Sequence, residues 1–421
     1  MNQAAAPSAA SLFSNRFVQA IMLAGLFMQL GIWIRNFAVL LYVVEKTNND
    51  PIALSLVSVV EFAPIFIFSF IGGAFADRWR PKRTMIWCDV LSAISVFVVL
   101  FTIINGSWEA VFFTTFVSAI LSQFSQPSSM KLFKLHVPEQ LLQAGMSIFQ
   151  TMVALFMVAG PAIGTIIYEQ YGIQTSLIIT GFLFLLSAVA LLFLPADREE
   201  EKKEANTSLR YELMEGARYV WNSSILKPLM ACFAMAGLAI GLIQPLGILV
   251  VTEQLGLPKG HLQYLLMVNG GAMLIGGALA MMMSKRLQPQ HMLAIGMAVS
   301  SIVLVVIGVS HLWWLTLTAQ FLSGLFLPAI QIGINTLILK NTESSFIGRV
   351  NGILSPMFMG AMVITMSLAG VAKSVLPLSA MYAISSVLFI IGILSIISIL
   401  RMRAPVQVEE LAGKAAIANT K

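Results

Sequence analysis

The chain has 421 residues, of which 58% are hydrophobic and only 10% charged, with a formal net charge of +6. Soluble domains carry about a quarter charged residues, so a water-soluble globule is excluded, because its polar surface would not cover this much apolar side chain. The bilayer is read instead as the solvent, and apolar windows of about 20 residues as spanning helices.

In chain order, helices 1 to 6 are predicted at 17–42, 52–75, 84–104, 110–130, 142–168 and 173–194. Helices 7 to 12 follow at 229–251, 262–283, 292–309, 312–339, 350–371 and 378–400. Helices 4 and 10 end in polar residues (Gln126, Ser128 and Ser129; Gln331 and Asn335) that are read as fading into loops. Lys and Arg favour cytoplasmic loops, and with the N-terminus inside almost every basic residue falls inside. The exceptions are Lys46, Lys259 and Lys373 in outer loops and Arg35 within helix 1. Both termini are therefore expected to be cytoplasmic, in a multi-pass protein of the cell membrane. The positive excess reads as topology rather than a nucleic-acid footprint, and no nucleic-acid partner is expected. Cys88 and Cys232 fall in apolar helices of opposite halves and imply no disulfide framework. The apolar run after Arg16 is too long for a cleaved signal and is read as an anchor that stays.

The polar stretch 196–228 separates six helices from six. The expected organisation is a first bundle at 1–195, a cytoplasmic linker at 196–228, a second bundle at 229–403 and a tail at 404–421. Within the linker, Leu209, Leu213, Ala217, Val220 and Trp221 recur at helical spacing, which predicts a short amphipathic helix on the inner membrane surface. The halves echo each other. "IGGAFA" (71–76) ends helix 2 and "IGGALA" (275–280) ends helix 8, each followed by basic residues and a new apolar helix. Parallel six-helix repeats are the organisation of secondary transporters that rock about a central site.

The stretch "GGAFADRWRPKRT" (72–84) places Gly73 and Asp77 four apart on one helix face, with Arg78, Lys82 and Arg83 behind. The glycine permits close helix approach, and the acid beyond it can cap the positive N-terminal end of a neighbouring helix. These residues resemble the loop between helices 2 and 3 of the major facilitator superfamily, G-x-x-x-D-R-x-G-R-R/K-R/K. Arg80 stands where the loop glycine is usual and Pro81 where an arginine is. The resemblance implies a gating role for Asp77 and Arg78, docking at the start of helix 11; the plainer reading is charge that only fixes topology. In the second half Met281 occupies the place of the acid, so such a latch is one-sided. A second resemblance lies in "AGPAIGT" (159–165): Gly160, Pro161 and Gly164 match the G-P-x-x-G-G of drug-exporting members, with Thr165 in place of the last glycine. The turn between helices 4 and 5, with "GRVNG" (348–352), also resembles the macrolide-efflux branch. The implied fold is all-α, twelve transmembrane helices in two six-helix pseudo-symmetric bundles.

Ionisable groups within hydrocarbon cost roughly 2.5–3.5 kcal/mol on insertion scales and are functional candidates by default. From the predicted helix ends, Arg35 and Glu61 sit at depths of roughly 10 and 14 Å, so an Arg35–Glu61 ion pair is expected. Glu61 is the proton-responsive member, or else the pair is permanent and structural. Asp89, five residues into predicted helix 3, is expected to stay hydrated or pair with the basic loop as a support for the latch. No histidine lies mid-helix and no metal-ligand spacing is present. Cavity helices implied by the resemblance, together with intramembrane amides, give Gln29, Asn36, Gln150, Gln244 and Gln320 as substrate contacts. The expectation is a monomeric secondary transporter, not an enzyme, with no cofactor beyond a proton gradient. It exports hydrophobic or amphipathic compounds such as macrolides by alternating access. A lysolipid or siderophore exporter, an uptake symporter and a membrane-embedded sensor are the alternatives.

Overall fold

A computed structural model describes residues 16–76, 79–137, 139–194, 209–344 and 346–401. Helix α1 spans Arg16–Thr47, α2 Pro51–Ala76, α3 Pro81–Ile104 and α4 Val111–His136. The next stretch, Glu139–Leu192, has 54 residues, about 81 Å at 1.5 Å per residue and well over twice the hydrocarbon core. It breaks at Gly172, whose φ of 73° and ψ of −178° suit a residue without Cβ. No atom stands within 4 Å of where a Cβ would be, so conformation rather than space requires the glycine. The two parts are α5 (139–171) and α6 (173–192). Helix α7, Leu209–Asn222, lies in the linker. Then come α8, Leu226–Gln254, α9, Leu262–Met283, α10, Pro289–Val309, α11, Trp313–Lys340, α12, Ile347–Val375, α13, Leu378–Ser395, and the short α14, Ile397–Arg401.

Ten stretches among the described residues are long and apolar enough to cross a membrane. One holds both α5 and α6, and the more polar α4 completes the twelve. Predicted helices 7 to 12 correspond to α8–α13. Several predicted ends are corrected: α3 starts at Pro81 rather than at residue 84, and α11 runs through Gln331 and Asn335 to Lys340. Helix α4 continues through Gln126, Pro127, Ser128 and Ser129 to His136; Ser128 is fully buried and donates to the Phe124 carbonyl at 2.8 Å, so these polar residues serve the helix rather than end it. Helix α1 runs five residues past Tyr42 and stops where Asn48 and Asn49 take positive φ, 51° and 66°, a conformation asparagine tolerates. Asp50 then starts α2, accepting from the Ile52 and Ala53 amides at 3.2 and 3.3 Å, with Pro51 in the first turn.

In the first half α1 packs along α5 and α6, α3 along α4 and the α5–α6 pair, and α2 along α4. In the second, α10 packs on α11 and α13, α8 on α12 and α13, and α9 on α11. The halves touch along two seams, α2 against α12 and the Gln244–Leu246 turn of α8, and the α5–α6 pair against α9. The face carrying α7 and the described chain ends is called the linker face, the other the far face. The amphipathic linker helix does form, but it is fastened to the second half: Glu215 pairs with Arg349 at 3.1 Å, Tyr219 stacks on Phe346 at 4.6 Å, and Gly216 lies against the Arg349 backbone. Its buried side is Gly216 and Val220, while Trp221 is exposed.

Candidate functional site

Among the described residues, Arg35 is the charged group that lies farthest from the ends of its helix. Since α1 ends at Thr47, Arg35 is twelve residues from the far end and Glu61 ten residues into α2, about 18 and 15 Å along their helices. This places Arg35 nearer mid-membrane than the sequence suggested. The two do not form the direct ion pair expected from sequence: Asn36 stands between them. Its Oδ1 accepts from Arg35 Nε at 3.1 Å and Nη2 at 2.8 Å, and its Nδ2 donates to Glu61 Oε1 at 2.8 Å. An amide is the one side chain that faces a cation with its oxygen and an anion with its nitrogen. Asn36, expected to touch substrate, is thus the bridge of the charge network. Arg35 is only 4% exposed and its Nη1 has no hydrogen-bond partner. Glu61 is half-buried. Local sequence explains the meeting: the α1–α2 turn is three residues long, so residues equally far from it on the two helices come level.

Asp89 departs from expectation. Helix α3 begins at Pro81, so Asp89 is eight residues in, about 12 Å along the axis, and 1% exposed. Its Oδ2 lies 2.6 Å from Ser187 Oγ of α6, which in turn lies 3.1 Å from the Ala24 carbonyl of α1; Oδ1 is buried without a partner. Asp89 therefore neither stays hydrated nor pairs with a basic side chain among the described residues. It ties α3, α6 and α1 together inside the first half. Lys82 donates to the carbonyls of Leu192, at 3.0 Å, and Leu194. It closes the C-terminal end of α6, where carbonyls lack helical partners and the dipole favours a cation. Gly73 falls in the last turn of α2 and Arg83 is exposed. Asp77 and Arg78 lie outside the described residues.

The glycines of the helix-5 motif pack against α1. A Cβ on Gly160 would strike the Trp33 ring, and one on Gly164 would stand 2.7 Å from Phe37 Cβ and 2.8 Å from the Trp33 carbonyl. These glycines, with buried Pro161 between them, let α5 lie directly on α1 two residues before Arg35. Among the amides, Gln29 is half-buried, and Gln150 and Gln244 are exposed, Gln244 in a 3₁₀ turn that precedes Pro245. Gln320 is engaged within its own half, where Asn269 Nδ2 reaches its carbonyl at 3.1 Å and its Oε1 at 3.3 Å.

A cluster that sequence reading passed over lies on the far face. Lys259 Nζ of the second half contacts Glu45 Oε2 of α1 at 2.6 Å, Tyr168 Oη donates to the same oxygen at 3.0 Å, and the Lys259 ammonium lies over the Tyr168 ring at 5.1 Å. They border a cavity of about 430 Å³ with Tyr42, Lys46, Glu169 and Gly172. Nearby, Thr252 Oγ1 donates to Asn49 Oδ1 at 3.2 Å. Gly370 of α12 lies on Pro51 and Ile52 of α2, and Gly260 on Glu169. All hydrogen bonds and ion pairs joining the halves among the described residues are at this face. The signal was present in the sequence: the three basic residues assigned outside are each engaged, Lys259 with Glu45, Lys373 with Glu253 at 3.0 Å, and Lys46 over Tyr42.

Two bundles of membrane helices, with charges bridged at mid-depth and a polar clasp at one face, define a membrane transporter of the two-bundle type. The chain belongs to the Major Facilitator Superfamily, whose sequence model matches residues 21–290 and 229–419; it is a transporter, not an enzyme. Among curated relatives, an uncharacterised MFS-type transporter of Bacillus subtilis, YkuC, is 24% identical over 369 residues, 85% of each chain. The multidrug efflux pump Tap of Mycolicibacterium fortuitum is 25% identical over 45% of this chain and 48% of its own. Macrolide efflux protein A of Streptococcus pyogenes is 25% identical over 38% and 41%. Among solved structures, the nucleoside transporter NupG superposes with a TM-score of 0.73 at 11% identity, covering 91% of this chain and 99% of NupG. A POT family transporter in complex with 5-aminolevulinic acid gives 0.70 at 15%, covering 92% and 96%. These two show the fold alone.

Proposed function

We propose that this protein is a proton-coupled exporter of hydrophobic or amphipathic compounds, working by alternating access, with the linker face cytoplasmic and no cofactor beyond the proton gradient. The observation that carries the reading is the Arg35–Asn36–Glu61 network at mid-membrane. A carboxyl held half-buried beside a bridged guanidinium can take a proton, and doing so removes the charge that balances Arg35. The conformation described is closed at the far face, where the clasp and the glycine contacts join the halves. Exposed polar side chains, Gln126 of α4, Gln150 of α5, Gln331 of α11 and Asn351 of α12, stand toward the linker-face ends of their helices. Such groups are tolerated where they line water rather than lipid, which fits a cavity entered from that face. Substrate contacts are assigned to Gln29, Gln150 and Gln244, each half-buried or exposed with no side-chain hydrogen bond among the described residues. The export direction and drug-like substrates rest on the efflux relatives.

The test is transport in proteoliposomes with an imposed pH gradient, across macrolides, other hydrophobic drugs and lysolipids, comparing wild type with Glu61→Gln. The variant is expected to lose gradient-driven export while still equilibrating substrate down its own gradient. Active export unchanged in Glu61→Gln removes Glu61 as the proton carrier.

A further inference from the structure

The turn between α9 and α10 repeats, in the second half, the turn between α2 and α3 in the first, and one difference between them is chemical. The first-half sequence follows its "GGAFA" with Asp77 and then Arg78, Arg80, Lys82 and Arg83, so its cations come with a carboxylate. The second-half sequence follows "GGALA" with three methionines and then Ser284, Lys285 and Arg286, with no acid. In the structure this turn, together with the end of α11, borders an open cavity of about 240 Å³ on the linker face, with Lys285, Arg286 and Lys340 exposed around it. It is lined by Ser284, Lys285, Arg286, Gln288, Thr336 and Lys340 among others, none of them acidic. No ion pair among the described residues engages Lys285, Arg286 or Lys340. This sets them apart from Lys259, Lys373 and Arg349, whose partners are carboxylates. Three uncompensated cations round one cavity repel one another, and an anion placed among them removes that repulsion.

Two further features favour an anion. The N-terminal end of α10, a helix of 21 residues, opens at Gln288 and Pro289 in the lining, so the positive end of its dipole adds to the field. Beside the cavity, Met281 and Met282 are each 67% exposed; on a membrane helix such side chains meet lipid, which puts the cations at the level where the acyl region gives way to headgroups. Basic pockets between helix ends at this level hold phosphate-bearing headgroups.

We infer that the cavity formed by Lys285, Arg286 and Lys340 is a binding site for a phosphate anion, one not assigned by the transport mechanism. The ligand replaces the carboxylate that the second repeat lacks. Thr336 supplies a hydroxyl donor and Gln288 an amide, while the Ser284 hydroxyl is given to the Met281 carbonyl at 2.8 Å. The site is distinct from the Arg35–Asn36–Glu61 network, and its existence does not depend on proton coupling.

Native mass spectrometry of the purified full chain tests it, with phosphatidylglycerol as the probe, phosphatidylcholine as the zwitterionic control and inorganic phosphate as the lipid-free probe. The comparison is wild type, Lys285→Gln/Arg286→Gln/Lys340→Gln, and Lys134→Gln/Arg218→Gln as a control that removes exposed cations elsewhere. The expected result is a phosphatidylglycerol adduct on wild type and the control, bound at least tenfold more weakly by the triple variant, with little retention of phosphatidylcholine. Competition by inorganic phosphate, or thermal protection of wild type by it alone, identifies the phosphate group as what is recognised; retention of phosphatidylglycerol without such an effect assigns the site to a lipid headgroup. Lys340→Arg is expected to keep the adduct and Lys340→Gln to weaken it, a comparison that survives if the triple variant is unstable. Equal phosphatidylglycerol retention by wild type and the Gln variants, with no effect of inorganic phosphate on either, overturns the inference.

Discussion

Gly370→Ala is expected to push the protein out of the far-face-closed conformation. The added Cβ would stand 2.5 Å from the Pro51 carbonyl oxygen, 2.6 Å from Ile52 Cα and 2.8 Å from Ser55 Oγ. Two of these neighbours are backbone, so no rotamer change relieves them, and α12 must retreat from α2 by on the order of 1 Å to regain ordinary contact. Overpacking of this kind costs about 1–3 kcal/mol. The cost falls only on the state in which the far ends of the two halves touch, so the equilibrium moves toward the opposite state by about 5- to 150-fold. Gly237→Ala is the control: its Cβ would strike the Phe358 carbonyl, but α8 and α12 belong to the same half, so both states are strained alike. Spin labels at Lys46→Cys and the exposed Leu312→Cys, in a background where the buried Cys88 and Cys232 are replaced by Ala, report the far-face distance by pulsed electron resonance. Gly370→Ala should add a longer population that Gly237→Ala does not, while both lower the melting temperature. A Gly370→Ala distribution identical to wild type would refute the assignment of this contact to the moving seam.

Other changes have smaller or more local effects. Glu45→Gln removes an ion pair whose side chains are 60% and 25% exposed, so its effect on the same distances is expected to be at most about 1 kcal/mol and to fade in high salt; a double-mutant cycle with Lys259→Met measures it. Asn36→Leu leaves Arg35, 4% exposed, without its main acceptor, and about 3 kcal/mol or more of stability should be lost. Asn36→Gln in the same thermal assay should retain part of it. Ser187→Ala deprives Asp89 of the one hydrogen bond it has among the described residues, which should lower stability by about 1–3 kcal/mol. Restoration of the melting temperature by pairing it with Asp89→Leu would show that the unsatisfied carboxyl is the cause.

What the sequence made legible follows from how membrane helices are encoded. Apolar windows gave the helices because the bilayer demands them, whereas helix ends were misjudged wherever polar residues continue a helix, as at Gln126–Ser129 and at Glu45–Thr47. The second error mattered, because five extra residues on α1 moved Arg35 toward mid-membrane and put Glu45 on a helix within reach of Lys259. Arg35 and Glu61 were found as a pair by depth alone, but depth does not tell which neighbour comes between them, and Asn36 did. Asp89 was misread because its distance from the surface was counted from a helix start three residues too late, and because Ser187, 98 residues away, leaves no trace in local sequence. The far-face clasp joins residues from α1, α5 and the turn before α9, a meeting set by the packing of two halves.

The central claim is that the two halves swing in opposite senses at the two faces and that the protonation of Glu61 biases the swing. It is tested most directly by measuring, in nanodiscs, the Lys46–Leu312 label distance across the far face together with a Lys134–Glu343 distance across the linker face, at acidic and alkaline pH. In wild type one distance should lengthen as the other shortens, and in Glu61→Gln both should stop responding to pH. Distances that stay fixed, change in the same sense, or respond equally in the variant would contradict the account.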